Sequence, residues 1–151
     1  MHHTMSLIAA MMFLFASACS PDDEPFVPSA SAVGDITLTV GGHTFTATME
    51  QNSTVEAFRA LLPLTLEMSD LHNNEKYHNL AQSLPTNRTS VGTIHAGDIM
   101  LYQDNCVVVF YETFSTSYSY SPIGHITDTY NLKEALGDGT VSVNFSTANN
   151  Q

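Results

Sequence analysis

Positive charge is what this sequence has least of. Lysine and arginine together number 4, against 15 acidic residues, for a net charge of −11 over 151 residues. A chain so charged repels phosphate backbones, which argues against a nucleic-acid partner. The acidic excess is spread along the whole chain and reads as a solubility device. Cysteine is nearly absent: Cys19 and Cys106 are the only two. There is no internal repeat and no G-x-S-x-G elbow around Ser115, Ser117 or Ser119, so a nucleophilic hydrolase has no sequence support. Seven histidines are present, among them His43, His72, His78, His95 and His125. Their spacing matches no zinc or EF-hand pattern, so no metal and no cofactor is expected. Long apolar runs are missing too. The run at residues 7–18 holds only 12 residues, too few to span a bilayer comfortably.

That short run nevertheless carries information. LIAAMMFLFASA ends in small residues directly before Cys19, the pattern of a secretory signal peptide. Ala16-Ser17-Ala18-Cys19 resembles a bacterial lipobox, in which the cysteine is acylated and becomes the new N-terminus. Residues 1–19 are therefore expected to be a lipoprotein signal ending at Cys19. Residues 20–34, rich in proline and serine, read as a flexible linker. Asp22-Asp23-Glu24 in that linker resembles a surface-export signal. The protein is expected to cross the inner membrane, to be anchored by lipid in the bacterial cell envelope, and to meet a membrane only through that anchor.

A domain is expected over residues 35–146, with a frayed tail at 147–151. With 43% hydrophobic residues, the chain can bury a core. Ile36, Leu38 and Val40 alternate with threonines as in a half-buried strand, Gly41-Gly42 makes a hairpin turn, and Phe45, Ala47 and Met49 mark the returning strand. Asn52-Ser53-Thr54 offers a helix N-cap, and Pro63 closes that helix. Leu64, Leu66 and Met68 mark a third strand, residues 69–75 a polar loop, and residues 76–80 a short strand. Residues 83–92 read as loop, with a strand fragment at 91–94. Residues 120–126 are strand-like around Pro122, which demands an edge, a bend or a bulge. A short helix at 131–136 stops at Gly137, and Val141, Val143 and Phe145 define a last strand.

The organising stretch is residues 93–124. Residues 98–102 and 106–111 are two strong strand signals joined by Gln103-Asp104-Asn105, a hairpin. The second is apolar at nearly every position, so it is covered on both faces or lines a closed barrel. Cys106 in that strand reads as a small buried hydrophobe. Asp98 follows Gly97 and reads as turn-forming. An aromatic and hydroxyl segment comes next. Phe110, Tyr111, Phe114, Ser115, Ser117, Tyr118 and Tyr120 are the candidate ligand-binding residues, since alternating Tyr and Ser suits a pocket lip. About eight short strands with two short helices make the chain mainly β, a barrel or a sandwich.

The segments PLTLEMSDL (63–71), NEKYHNL (74–80), GTIHAGDIMLY (92–102) and VVVFYETFSTSYSYSPIGHI (107–126) together resemble the bacterial cyclophilin-like proteins. The resemblance covers about residues 36–145. It implies a closed eight-stranded cyclophilin-like β-barrel with two short helices. Cyclophilins isomerise X–Pro bonds with an arginine that stabilises the twisted amide. Here Arg59 falls on the first helix and Arg88 in a polar loop, neither in the cyclophilin context, and Pro122 stands where related proteins often carry a basic residue. The expected function is therefore a lipid-anchored extracytoplasmic domain that binds a peptide or small-molecule ligand on an aromatic surface without catalysis. The alternative is a weak peptidyl-prolyl cis-trans isomerase of the cell envelope.

The N-terminal reading is directly testable. The wild-type chain should incorporate a fatty-acid analogue and fractionate with membranes, and Cys19→Ala should do neither. A wild type that takes no label refutes the lipoprotein reading.

Overall fold

The computed structural model describes residues 35–148. The expected signal peptide, Cys19 and the linker lie outside the described residues. The elements in chain order are β1 (Ile36–Val40), β2 (His43–Met49), α1 (Ser53–Arg59), β3 (Leu64–Leu71), β4 (Glu75–Asn79), β5 (Thr89–Ser90) and β6 (Thr93–Ile94). They continue with β7 (Asp98–Tyr102), β8 (Cys106–Phe110), β9 (Phe114–Ser115), β10 (Ser119–Ile126), α2 (Leu132–Leu136) and β11 (Val141–Thr147).

Eight of the strands form a closed antiparallel barrel. The order β2-β1-β11-β3-β4-β8-β7-β10 is closed by a further pairing of β10 with β2, through Gly124↔Met49 and Ile126↔Ala47. Closure leaves these strands no free edge to aggregate from. The barrel is filled by the alternate residues of each strand. Ile36, Leu38, Phe45, Ala47, Met68, Ile99, Leu101, Val107, Val109, Val143 and Phe145 share one core. Filling of this kind is what eight strands allow, and it leaves no room for a ligand along the axis. Phe58 of α1 packs edge-on against Phe145 at a centroid distance of 5.6 Å, so the helix caps one end.

Local chemistry accounts for the boundaries. The Asn52 side chain accepts from the Val55 amide at 2.9 Å and starts α1. The helix stops at Arg59 rather than at Pro63. Tighter turns follow, the Leu61 and Leu62 amides donating to the Phe58 and Arg59 carbonyls. The polar loop expected at 69–75 is mostly strand. β3 runs to Leu71, and β4 begins at Glu75 after a tight turn in which His72 and Asn73 both take φ near 54°. The register shift in β10 falls between Pro122 and Gly124, the bulge that a proline in a paired strand requires. β11 extends past the expected end, with Thr147 opposite Ile36 and the Ala148 amide donating to the Asp35 carbonyl.

A charge sits inside this barrel that the sequence did not announce. Lys76 is fully buried, and its ammonium pairs with Asp70 Oδ1 at 3.0 Å. It also donates to the Gly139 carbonyl at 2.6 Å and lies 5.8 Å from the centre of the Tyr111 ring. The Tyr111 hydroxyl donates to the same Asp70 oxygen at 2.5 Å. A buried charge is tolerable only when paired and hydrogen-bonded, as this one is. Burial pushes the Asp70 carboxyl up. The hydrogen bonds from Tyr111, Lys76 and the Asn73 amide, with the Lys76 charge, outweigh it and hold the group below its ordinary value.

A depressed carboxyl stabilises the fold at pH values above its unfolded pKa, about 4, and that stability is lost as pH falls through the folded value. Wild-type stability in urea should therefore decline on acidification below about pH 4. Asp70→Asn should cost roughly 3–5 kcal/mol at neutral pH, because it strands a buried ammonium. It should also show a smaller acid-dependent loss. Equal acid sensitivity in the two proteins would remove Asp70 from the account.

Candidate functional site

The pocket lies outside the barrel, on the face of β4, β8, β7 and β10. Strand alternation sends Glu75, Tyr77 and Asn79 of β4 outward, opposite to Lys76. The register sets Tyr77 across from Val108 and Asn79 across from Cys106. Tyr102 and Cys106 then face each other at the mouth of the β7–β8 hairpin. A second, smaller core sits on this outer face, made by Ile94, Met100, Val108, Phe110 and Tyr120, with Phe114 and Tyr77 packed against it. Residues 89–94 and 114–118, on either side of the β7–β8 hairpin, fold over the face to complete it. β5 pairs with β10 through Tyr120↔Thr89, and β9 pairs with β6 through Phe114↔Ile94.

Between this cover and the sheet is a cavity of about 580 Å³, within the ordinary range for a small-molecule site. Phe114, Ser115, Thr116, Ser117, Tyr118 and Tyr120 form its wall from the aromatic segment. Glu75, Tyr77 and Asn79 enter from β4, and Tyr102, Cys106 and Val108 from the hairpin. Leu71, His72 and Asn74 close it at the β3–β4 turn. The tyrosines are interlocked. Tyr102 stands 6.0 Å from Tyr118 at 76° and 5.6 Å from Tyr120 at 50°. Phe110 supports Tyr120 from beneath, at 5.6 Å and 89°.

Of the seven candidate residues, five line the cavity together: Phe114, Ser115, Ser117, Tyr118 and Tyr120. Phe110 and Tyr111 do not. Phe110 is fully buried under the pocket floor. Tyr111 belongs to the barrel core with its hydroxyl on Asp70. The two point to opposite faces because they are consecutive residues at a strand end. The β4 contribution escaped sequence reasoning, which gave Glu75 to a loop. The apolar/polar alternation there is broken by Lys76, whose inward direction no hydropathy pattern signals. Tyr102 was visible as a strand residue, but its pairing with the aromatic wall is a tertiary contact.

The ionisable groups at the site are shifted by their surroundings. Burial pushes the Glu75 carboxyl up, His72 beside it pulls it down, and Asp70 pushes it up again. Burial, then the Glu75 charge, push the Cys106 thiol up to about 11. A thiol so shifted is neutral at physiological pH and packs as an apolar group. Burial and the Glu75 charge likewise raise the Tyr120 phenol, which a bond from Thr116 partly offsets. None of the four basic residues lines the pocket. Lys76 is inside the barrel, Lys133 pairs with Glu112, and Arg59 and Arg88 lie elsewhere. Asp98 does form the turn, its Oδ2 accepting from the His95 amide at 2.8 Å. Its Oδ1 meets His125 Nδ1 at 2.8 Å, which ties the turn to β10. Gly97 in that turn has φ 97°, and a Cβ there would meet Thr129 Cγ2 at 2.8 Å, so only glycine fits.

The chain belongs to the Cyclophilin-like family, whose model matches residues 38–146. A comparison with curated proteins finds no match. Among solved structures, that of McbB in complex with tryptophan is similar, with a TM-score of 0.59 at 17% identity. The match covers 77% of this chain and 45% of McbB, so the chain spans less than half the length of that protein. At this identity the likeness concerns the fold alone.

Two truncations separate floor from rim. Phe110→Ala should cost roughly 3–5 kcal/mol in chemical denaturation, as a fully buried aromatic does. Tyr118 is 61% exposed, and Tyr118→Ala should stay within about 0.5 kcal/mol of wild type. Equal losses would mean that the cover and the sheet form one cooperative core.

Proposed function

We propose that this protein is a lipid-anchored, extracytoplasmic binding module. Cys19 carries the lipid, residues 20–34 tether the barrel to the membrane, and the outer-face pocket holds a peptide or small-molecule ligand without catalysing proline isomerisation. The observation that supports this reading is the composition of the pocket wall. Aromatic rings and small hydroxyls surround a cavity large enough for one aromatic side chain, and no guanidinium is among the lining residues. McbB is described in complex with tryptophan, a ligand of the size this cavity takes.

The competing reading, a weak prolyl isomerase of the cell envelope, follows from the fold. Prolyl isomerisation has a barrier of about 18–20 kcal/mol, which a positioned donor lowers by stabilising the twisted amide. Arg59 and Arg88 are outside the pocket lining. Loss of one positioned donor typically costs about 10²–10³ in rate. Isomerisation of a proline-containing peptide by the full chain should therefore run at least about a hundredfold below a true cyclophilin. Cyclophilin-like rates that disappear on replacing Arg59 or Arg88 would install the enzyme reading instead.

A further inference from the structure

We propose that the outer-face pocket is a site for a small organic ammonium ion, whose charge lies between the Glu75 carboxylate and the tyrosine faces. The inference rests on the ligand-binding reading above and adds the charge class of the ligand. Two features of the pocket select a cation, and a third selects a hydrogen-bond donor.

The first is the sign of its charges. Glu75 is the one carboxylate among the lining residues, and no lysine or arginine accompanies it. Among the described residues no cationic side chain lies within ion-pair distance of Glu75; the four ion pairs involve Asp70, Asp98 and Glu112. His72 lines the same pocket but makes no ion pair with Glu75. A half-buried carboxylate without a paired cation is costly, and a bound cation relieves that cost. The second is the arrangement of rings. Tyr102 meets Tyr118 edge-on at 76° and Tyr120 at a 50° tilt, and all three rings line the cavity. Aromatic faces are negative and attract ammonium groups, most strongly when the site is desolvated. The third is an orphaned acceptor. Asn74 Oδ1 is buried and has no hydrogen-bond partner, although Asn74 lines the same pocket. The oxygen is closed off as the side chain stands, and a turn of the Asn74 amide toward the pocket would let a ligand N–H supply the missing donor. The net charge of −11 acts in the same direction at long range.

An anion meets the Glu75 charge unfavourably, and a neutral ligand can hydrogen-bond to Glu75 but leaves its charge uncompensated. The ammonium can come from a free amine or from the N-terminus of a peptide, and the cavity admits either with one aromatic body.

The chain has no tryptophan, so indole fluorescence reports the probe alone. Three probes share the ring and differ in charge: tryptamine, N-acetyltryptophanamide and indole-3-acetate. Tryptamine should bind about tenfold tighter than the neutral amide, as a hydrogen-bonded ion pair with ring contacts provides, and indole-3-acetate weakest. Glu75→Gln should abolish the preference and leave the neutral amide within about twofold, on the rule that uncharged contacts persist. Tyr102→Leu should weaken tryptamine, and Tyr102→Phe should restore it. A Trp-Gly-Gly amide with a free N-terminus, set against its acetylated form, identifies a peptide terminus as the source if it exceeds tryptamine. A free amine is the source if it does not. Equal binding of tryptamine and the neutral amide overturns the cation assignment and leaves the binding module standing. Absence of binding by all the probes overturns both.

Discussion

Strand β8 must be covered twice, and the rest of the molecule follows from that. All five of its residues are buried, so Val107 and Val109 need a core on one side and Cys106, Val108 and Phe110 need another on the other. Closing the barrel supplies the first. The second cannot come from the barrel, whose other strands are already turned inward. It comes from residues 89–94 and 114–118, the segments on either side of the β7–β8 hairpin, which lie across the sheet's outer face. A cover built of two-residue strands and tyrosines does not seal as a helix layer does. The gap it leaves is the pocket, so the site is a by-product of how β8 is buried.

This origin explains why the fold was legible and the site only half so. Strand period, Gly41-Gly42, the β7–β8 hairpin and Gly137 are local signals, and each fell where its chemistry put it. The doubly apolar run at 106–110 announced two covers from sequence alone. Five of the aromatic-segment candidates do share one wall. Phe110 and Tyr111 fall outside that lining, because the end of β8 had to be placed before their faces could be assigned. The opposite wall, from Glu75 to Asn79, depends on β4 lying next to β8. That neighbourhood joins residues about thirty positions apart, and no local rule encodes it.

Lys76 is the residue that connects the two sides of the sheet. Its ammonium is held inside by Asp70, the Gly139 carbonyl and the Tyr111 ring. Its neighbours Glu75 and Tyr77 are therefore forced outward, since side chains alternate along a strand. A hydrophobic residue at 76 would pack the barrel as well or better, because buried ion pairs are weak sources of stability. What the pair does provide is register. A slip of β4 by one residue would turn every side chain to the wrong face. It would bring Glu75 into the barrel against Asp70 and leave Lys76 without its partners. Two carboxylates facing each other in an apolar interior are far costlier than the native arrangement.

The barrel is filled, so any ligand must sit on its outside. The outer face of this chain presents acceptors and ring faces without a strong donor cation. On the binding reading proposed above, a lining without a guanidinium offers no positive donor to the pyramidal nitrogen of a twisted prolyl amide. On the same reading it would hold a positive group against the Glu75 carboxylate and the tyrosine rings. On that reading, the scarcity of lysine and arginine across the chain and the lone carboxylate in the pocket lining are two expressions of a single constraint. With only four basic residues, one of them spent inside the barrel and one on Glu112, the outer face has carboxylate and π-electron density left over.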